Sequence, residues 1–153
     1  MIQLYTHDFS EHWFDQARGE LNEDGRFDGY DLAPYWLRPR HVPLLIRSDG
    51  RLVGFSLVND RSRTGRPMDW HMGEFFIVRK HRRGGTGLAA AQAVFDRHPG
   101  QWETAIARRN MGALAFWRAA AARHPRVSDL EEIDLATAAW NGPVLRFRVD
   151  AVG

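Results

Sequence analysis

The stretch Glu74-Phe-Phe-Ile-Val-Arg-Lys-His-Arg-Arg-Gly-Gly-Thr-Gly-Leu88 decides how this chain folds. Its first half lies within Trp70 to Arg79, an almost unbroken apolar run of strand length, the pattern of a buried strand. Its second half, Arg82 to Gly87, is a glycine-rich turn. The alanine-rich stretch Leu88 to Arg97 that follows reads as a helix, ended by His98-Pro99-Gly100. A strand that passes through such a turn into a helix leaves backbone N–H groups unpaired at the helix N-terminus, where the helix dipole favours an anion. Gly84, Gly85 and Gly87 keep side chains out of the way, and Arg82 and Arg83 add cationic donors. Alone, the turn also fits a plain tight connection, and it is neither a Walker loop nor the Gly-x-Gly-x-x-Gly fingerprint.

Working outward, His41 to Arg47 and Arg51 to Asn59 read as a hairpin around Ser48-Asp49-Gly50, with Gly54 marking a bulge or a close contact. Arg61 to Pro67 is a polar loop. Downstream, a strand is expected at Trp102 to Ala107 and a helix at Asn110 to Arg123, with Ala113, Phe116, Trp117 and Ala120 on its buried face. Strands follow at Val127 to Leu135 and Pro143 to Val149. Upstream, a helix is expected at Phe9 to Arg18 with Ser10 as its cap, then a turn at Asn22 to Gly25 and a helical turn at Asp31 to Arg38. The order specifies an α/β sheet of mixed direction.

At 153 residues, with no repeat, low-complexity tract or linker, one domain over 1–153 is expected. There are no cysteines, which excludes disulfides, thiolate metal sites and a cysteine nucleophile. No apolar run approaches the roughly 18 residues that span a bilayer. Met1 to Ser10 carries Asp8 and lacks the apolar core of a signal peptide, so a cytoplasmic protein is expected. Lys80 is the single lysine, and a net charge of +2 is too small to argue for nucleic acid by itself, so no nucleic-acid partner is expected.

Two motifs together carry a resemblance. Arg82-x-x-Gly85-x-Gly87, after a strand and before a helix, resembles the Gln/Arg-x-x-Gly-x-Gly/Ala motif of the GNAT superfamily of N-acetyltransferases. Asn110-Met-Gly-Ala113-Leu-Ala-Phe116-Trp117 resembles its second signature, Asn-x-x-Ala-x-x-Phe-Tyr, and Gly50 to Phe55 looks like its hairpin. The resemblance covers about residues 41 to 123. It implies a mostly antiparallel, twisted sheet with helices on both faces, and direct acetyl transfer from acetyl-CoA to an amine, without a metal. It further implies that the backbone of Arg83 to Gly87, Thr86 included, holds the pyrophosphate. The main chain of Ile77 and Val78 would pair with the pantetheine arm, Asn110 would bond it, and Phe116 and Trp117 would line the acyl region. A non-catalytic acyl-CoA-binding module with the same site is the alternative.

Attack on a thioester needs an unprotonated amine. Glu74, the lone carboxylate in its strand, is one candidate base, unless it pairs with an arginine or points to solvent. His71 is the other, its ordinary pKa suited to the task. The chain departs from the family at Trp117, because an indole cannot supply the proton that a phenol can; Tyr30 or Tyr35 are substitutes. The acceptor, a small-molecule amine or a peptide or protein amine, is expected among the aromatic residues Trp13, Phe14, Phe27, Tyr30, Tyr35 and Trp36 and the acidic residues between Glu11 and Asp31. An exposed C-terminal edge strand suggests a homodimer.

Overall fold

A computed structural model describes residues 1–12 and 19–153. Six strands, β1 (Val42–Ser48), β2 (Arg51–Asn59), β3 (Trp70–Ile77), β4 (Gly100–Ala105), β5 (Val127–Ala136) and β6 (Asn141–Val149), form one sheet in the order β1-β2-β3-β4-β6-β5. All neighbours are antiparallel except β3 and β4, which run parallel. The helices are α1 (Ile2–Ser10), α2 (Pro34–Leu37), α3 (Thr86–Arg97) and α4 (Met111–Ala122). This is the mixed, mostly antiparallel α/β sheet that the sequence leads one to expect. The C-terminal strand, however, is not an edge: β6 lies between β4 and β5, so the edges are β1 and β5.

Local chemistry sets the elements. Asp49 and Gly50 take φ of 50° and 75°, a two-residue turn whose twist matches the hairpin and pairs Ser48 with Arg51. Gly54 is a close approach, since a Cβ there would meet the Phe76 carbonyl oxygen at 2.0 Å. Asp31 accepts the Ala33 N–H at 3.0 Å, just before Pro34 opens α2. Asn22 accepts the N–H groups of Asp24 and Arg26, which closes the turn expected there.

The N-terminal helix lies earlier than expected. It spans Ile2–Ser10, so Ser10 ends it rather than capping it, its hydroxyl donating to the His7 carbonyl at 2.7 Å. Its buried side is Ile2, Tyr5 and Phe9, which pack with Phe55 and Phe76 of the sheet. The rest of the expected helix, with Trp13, Phe14 and Asp15, lies outside the described residues.

The sheet is covered on both faces. On one, α3 and α4 bury Phe95, Trp117 and Ala120 against Met72, Trp102, Leu145 and Phe147. On the other, α1 and α2 bury Tyr5 and Tyr35 over β2 and β3. Trp102, Phe95 and Phe147 are almost fully enclosed, and each such side chain contributes roughly 2–3 kcal/mol through burial. Among the described residues no helix is long and apolar enough to cross a membrane.

Two irregularities in β3 prepare the site. Leu57 pairs with Glu74 but Val58 with Met72, so Gly73 is an extra, bulged residue. The bulge breaks the period-2 alternation: Met72 and Phe75 point to the α3/α4 face, while Glu74 and Phe76 point to the α1/α2 face. Further, β3 and β4 pair only at Trp70–Trp102 and His71–Glu103. Beyond His71 the two strands part.

Candidate active site

The parting of β3 from β4 opens a cleft of about 610 Å³ lined by Phe75, Phe76 and Ile77, the glycine turn, and the start of α4. The N–H of Val78 donates to the Val53 carbonyl at 2.9 Å. In an antiparallel ladder alternate peptide groups then face away from β2, so Phe75 and Ile77 turn their N–H groups toward the cleft. The Val78 amide, expected to meet the pantetheine arm, is committed to β2, whereas Ile77 lines the cleft. No side chain caps α3, so the amides of its first turn, Thr86 to Leu88, lack intrahelical acceptors at the cleft rim.

The glycines differ in what they do. Gly85 holds φ at 84°, and Gly87 lets α3 approach α4, since a Cβ there would lie 3.4 Å from the Phe116 ring. Gly84 has open space and ordinary φ, and lies outside the cleft lining. Arg83, at φ 65°, lines the cleft. Arg82, expected at the rim as a cationic donor, lines the cleft but is engaged as a strut. Its Nε donates to the Ile77 carbonyl at 2.6 Å, its Nη2 binds Asp8 of α1, and its guanidinium covers the Phe76 ring. Arg79 also binds Asp8, at 2.9 Å. Burial acts to raise the Asp8 pKa, but the hydrogen bonds and charges of Arg82 and Arg79 prevail and lower it.

Asn110 is the cap of α4, its Oδ1 accepting the Ala113 N–H at 3.0 Å, and it lines the cleft. Phe116 also lines the cleft, stacked on Phe75 with ring centroids 5.8 Å apart. Trp117 does not. It is 7% exposed, packed between Phe75 and Phe95, and belongs to the core. A buried indole serves packing there, which is the physical reason the acyl-lining role expected of Trp117 does not match its position.

On the opposite face lies a second cavity, of about 590 Å³, lined by Thr6, Phe27 to Asp31, Tyr35, His41, Asn59, Arg61, Arg63, Gly73 and Glu74. Glu74 lines this second cavity, and its partner Tyr5 lines the first. Its carboxylate accepts the hydroxyls of Tyr30, at 2.5 Å, and of Tyr5. Tyr5 lines the first cavity and Tyr30 the second. Among the described residues its partners include these two phenols. Tyr5 was not a candidate, because only the position of α1 brings it to β3. Tyr35 lies deeper, 8% exposed, its hydroxyl accepting the Asn59 amide at 3.1 Å. Burial chiefly pushes the Tyr35 phenol up, opposed by the Asn59 bond, while Glu74 adds to the rise and Arg61 and Arg63 counter it.

His71 lies apart from both cavities. Asn59 Oδ1 accepts the Arg61 N–H at 3.0 Å, which fixes the amide orientation, so the His71 Nδ1 that faces this oxygen at 3.2 Å carries the proton. Burial, with help from Arg63 and against Glu103, pushes the His71 pKa down to about 4. The ordinary imidazole pKa expected of this base is therefore not what the fold provides. Next to it is a buried charge cluster: Glu103, fully enclosed, pairs with Arg146 and accepts the Arg63 N–H at 2.7 Å and the Ser62 hydroxyl at 3.0 Å. These bonds fasten the Arg61 to Pro67 loop beside the second cavity.

A split parallel strand pair, a glycine-led helix without a side-chain cap and a carboxylate beside the split make up the candidate site. The sequence signature of the acetyltransferase (GNAT) family matches residues 1–121, and the chain belongs to that family. Among solved structures, the Bacillus subtilis acetyltransferase in complex with CoA is similar at 10% identity and a TM-score of 0.49, over 78% of this chain and 83% of that one. Comparison with curated proteins finds no match.

Proposed function

We propose that the protein, acting as one domain, transfers an acetyl group from acetyl-CoA to an amine. The reading rests on one observation: Glu74, which lines the cavity assigned to the acceptor, is bound by Tyr5, which lines the cleft assigned to the donor, and by Tyr30. The α3 amides and Arg83 would hold the pyrophosphate, since several N–H groups and a guanidinium converge there. The Phe75 and Ile77 main chain would bond the pantetheine as a missing strand would. One of these N–H groups would face the thioester oxygen as negative charge builds on it. The amine attacks the thioester carbon, the C–N bond forms and the C–S bond breaks. The surplus proton of the amine passes to Glu74, and the thiolate takes one from Tyr5, whose hydroxyl is renewed through the shared carboxylate.

Glu74→Gln and Tyr5→Phe test this. Excess acetyl-CoA, at about 100 times its dissociation constant, should stabilise the wild type and both variants by about 2.7 kcal/mol, a rise of several degrees in Tm. Acetyl transfer to an amine panel should fall by about 100-fold or more in Glu74→Gln. If acetyl-CoA leaves Tm unchanged, the donor reading is wrong. If it raises Tm but Glu74→Gln transfers acetyl groups as fast as the wild type, the catalytic role of Glu74 is wrong.

A further inference from the structure

The second cavity has two electrically different ends. Around Glu74 lie Tyr30 and its neighbours Asp28 and Asp31, a negative end that suits an ammonium group. At the other end the loop after β2 contributes Arg61 and Arg63. Several arginines elsewhere have carboxylate partners: Arg40 pairs with Asp69, Arg66 with Glu131, Arg118 with Glu132. Arg61 and Arg63 have none among the described residues, and the Arg63 Nε is buried with no hydrogen-bond partner. A buried donor without an acceptor is rare in folded proteins, and a ligand that supplies the acceptor is a direct explanation.

The two arginines are also held in place before anything binds. Asn59 fixes the Arg61 backbone and Glu103 that of Arg63, and the Arg63 guanidinium lies over the Trp140 ring, 5.1 Å from its centroid. Tyr35, its hydroxyl accepting the Asn59 amide at 3.1 Å, lines the same cavity. The register gives the span. Glu74 pairs with Leu57, and Arg61 and Arg63 follow the end of β2 at Asn59. From Leu57, opposite Glu74, Arg61 and Arg63 are four and six residues away, about 13–20 Å along a fully extended chain. That exceeds the separation of an α-amine from its own carboxylate.

We infer that the acceptor is a small molecule with a primary amine at one end and an oxyanion, carboxylate or phosphate, several bonds away at the other. The oxyanion binds Arg61 and Arg63, and the amine lies against Glu74. This rests on the acetyl-transfer reading, and the test separates the two.

Acetyl transfer would be measured for ε-aminocaproate, its carboxamide, glycine, aminobutyl phosphate and a lysine-containing peptide. The expected result is that kcat/KM for ε-aminocaproate or aminobutyl phosphate exceeds that for the carboxamide by about tenfold or more. Whichever of the two acids is favoured identifies the oxyanion. In Arg61→Gln/Arg63→Gln the ratio of acid to amide should fall toward unity. Equal rates for acid and amide in the wild type overturn the inference, as does a preference for the peptide or for glycine. If no acceptor is acetylated, the Tm shift induced by ε-aminocaproate against that by its carboxamide decides the inference, independently of the acetyl-CoA shift that reports the donor reading. A larger shift with the acid, lost in the double variant, supports it; equal or absent shifts overturn it.

Discussion

Lowering the pH should destabilise this protein through His71. The ring is 3% exposed, and its pKa is pushed from 6.5 to about 4, first by burial and then by the Arg63 charge. In the unfolded chain the imidazole takes up its proton near pH 6.5; in the folded protein only near 4. The unfolded state therefore binds more protons between these values, and stability falls as pH drops through that window. At pH 5 the unfolded ring is charged by roughly thirtyfold over neutral, whereas the folded ring stays about nine-tenths neutral, a loss of about 2 kcal/mol relative to neutral pH. His71→Asn keeps a donor to Asn59 and removes the titration, and all other ionisable groups cancel in the comparison. Urea unfolding at about pH 7.5 and pH 5 should show the wild type losing about 2 kcal/mol more than the variant, at unchanged m-value. Equal losses would refute the reasoning, because they would mean that the folded ring accepts a proton as readily as the unfolded one.

The buried cluster gives a second test: Glu103→Ala removes the enclosed carboxylate that pairs with Arg146, leaving it, among the described residues, only the Glu131 carboxylate at the rim, and should cost about 3–5 kcal/mol, read by urea unfolding. The glycine turn gives a third. Gly85→Val forces a side chain to φ 84° and should cost about 1–2 kcal/mol while weakening the acetyl-CoA shift in Tm. Gly84→Ala, with ordinary φ and open space, should change stability by less than about 0.5 kcal/mol.

Much of this fold was legible because its signals are local. The hairpin around Asp49-Gly50, the apolar strand before the glycines and the helix that opens near Asn110 each announce themselves within a few residues, and the structure places them at or within a few residues of the expected bounds. What was not legible depends on contacts distant in sequence. Tyr5 reaches Glu74 across 69 positions, and Thr64 binds Glu103 across 39, so no local pattern marks either pair. Trp117 shows the same limit from the other side. Motif spacing places it on the right helix, but only the packing of Phe75 and Phe95 against it turns the indole into the core and leaves Phe116 at the cleft.

The site depends on Gly73 more directly than on any residue that touches a ligand cavity alone. With strict alternation, Met72 and Glu74 would share a face, and either the carboxylate would enter the α3/α4 core or the methionine would leave it. One extra residue at position 73 frees the two: Met72 stays in the core, and Glu74 turns to the phenols on the other face. Only glycine fits there, since a Cβ would lie 2.5 Å from the Asn59 amide and 3.1 Å from the Tyr35 hydroxyl. The same bulge falls where β3 leaves β4, two residues beyond the last paired position, His71. Phe75 and Ile77 thereby keep main-chain groups open on one side of the split while Glu74 serves the other. A continuous six-stranded sheet would have satisfied those backbone groups and joined the strands, leaving neither a cleft for the donor nor a carboxylate lining the second cavity.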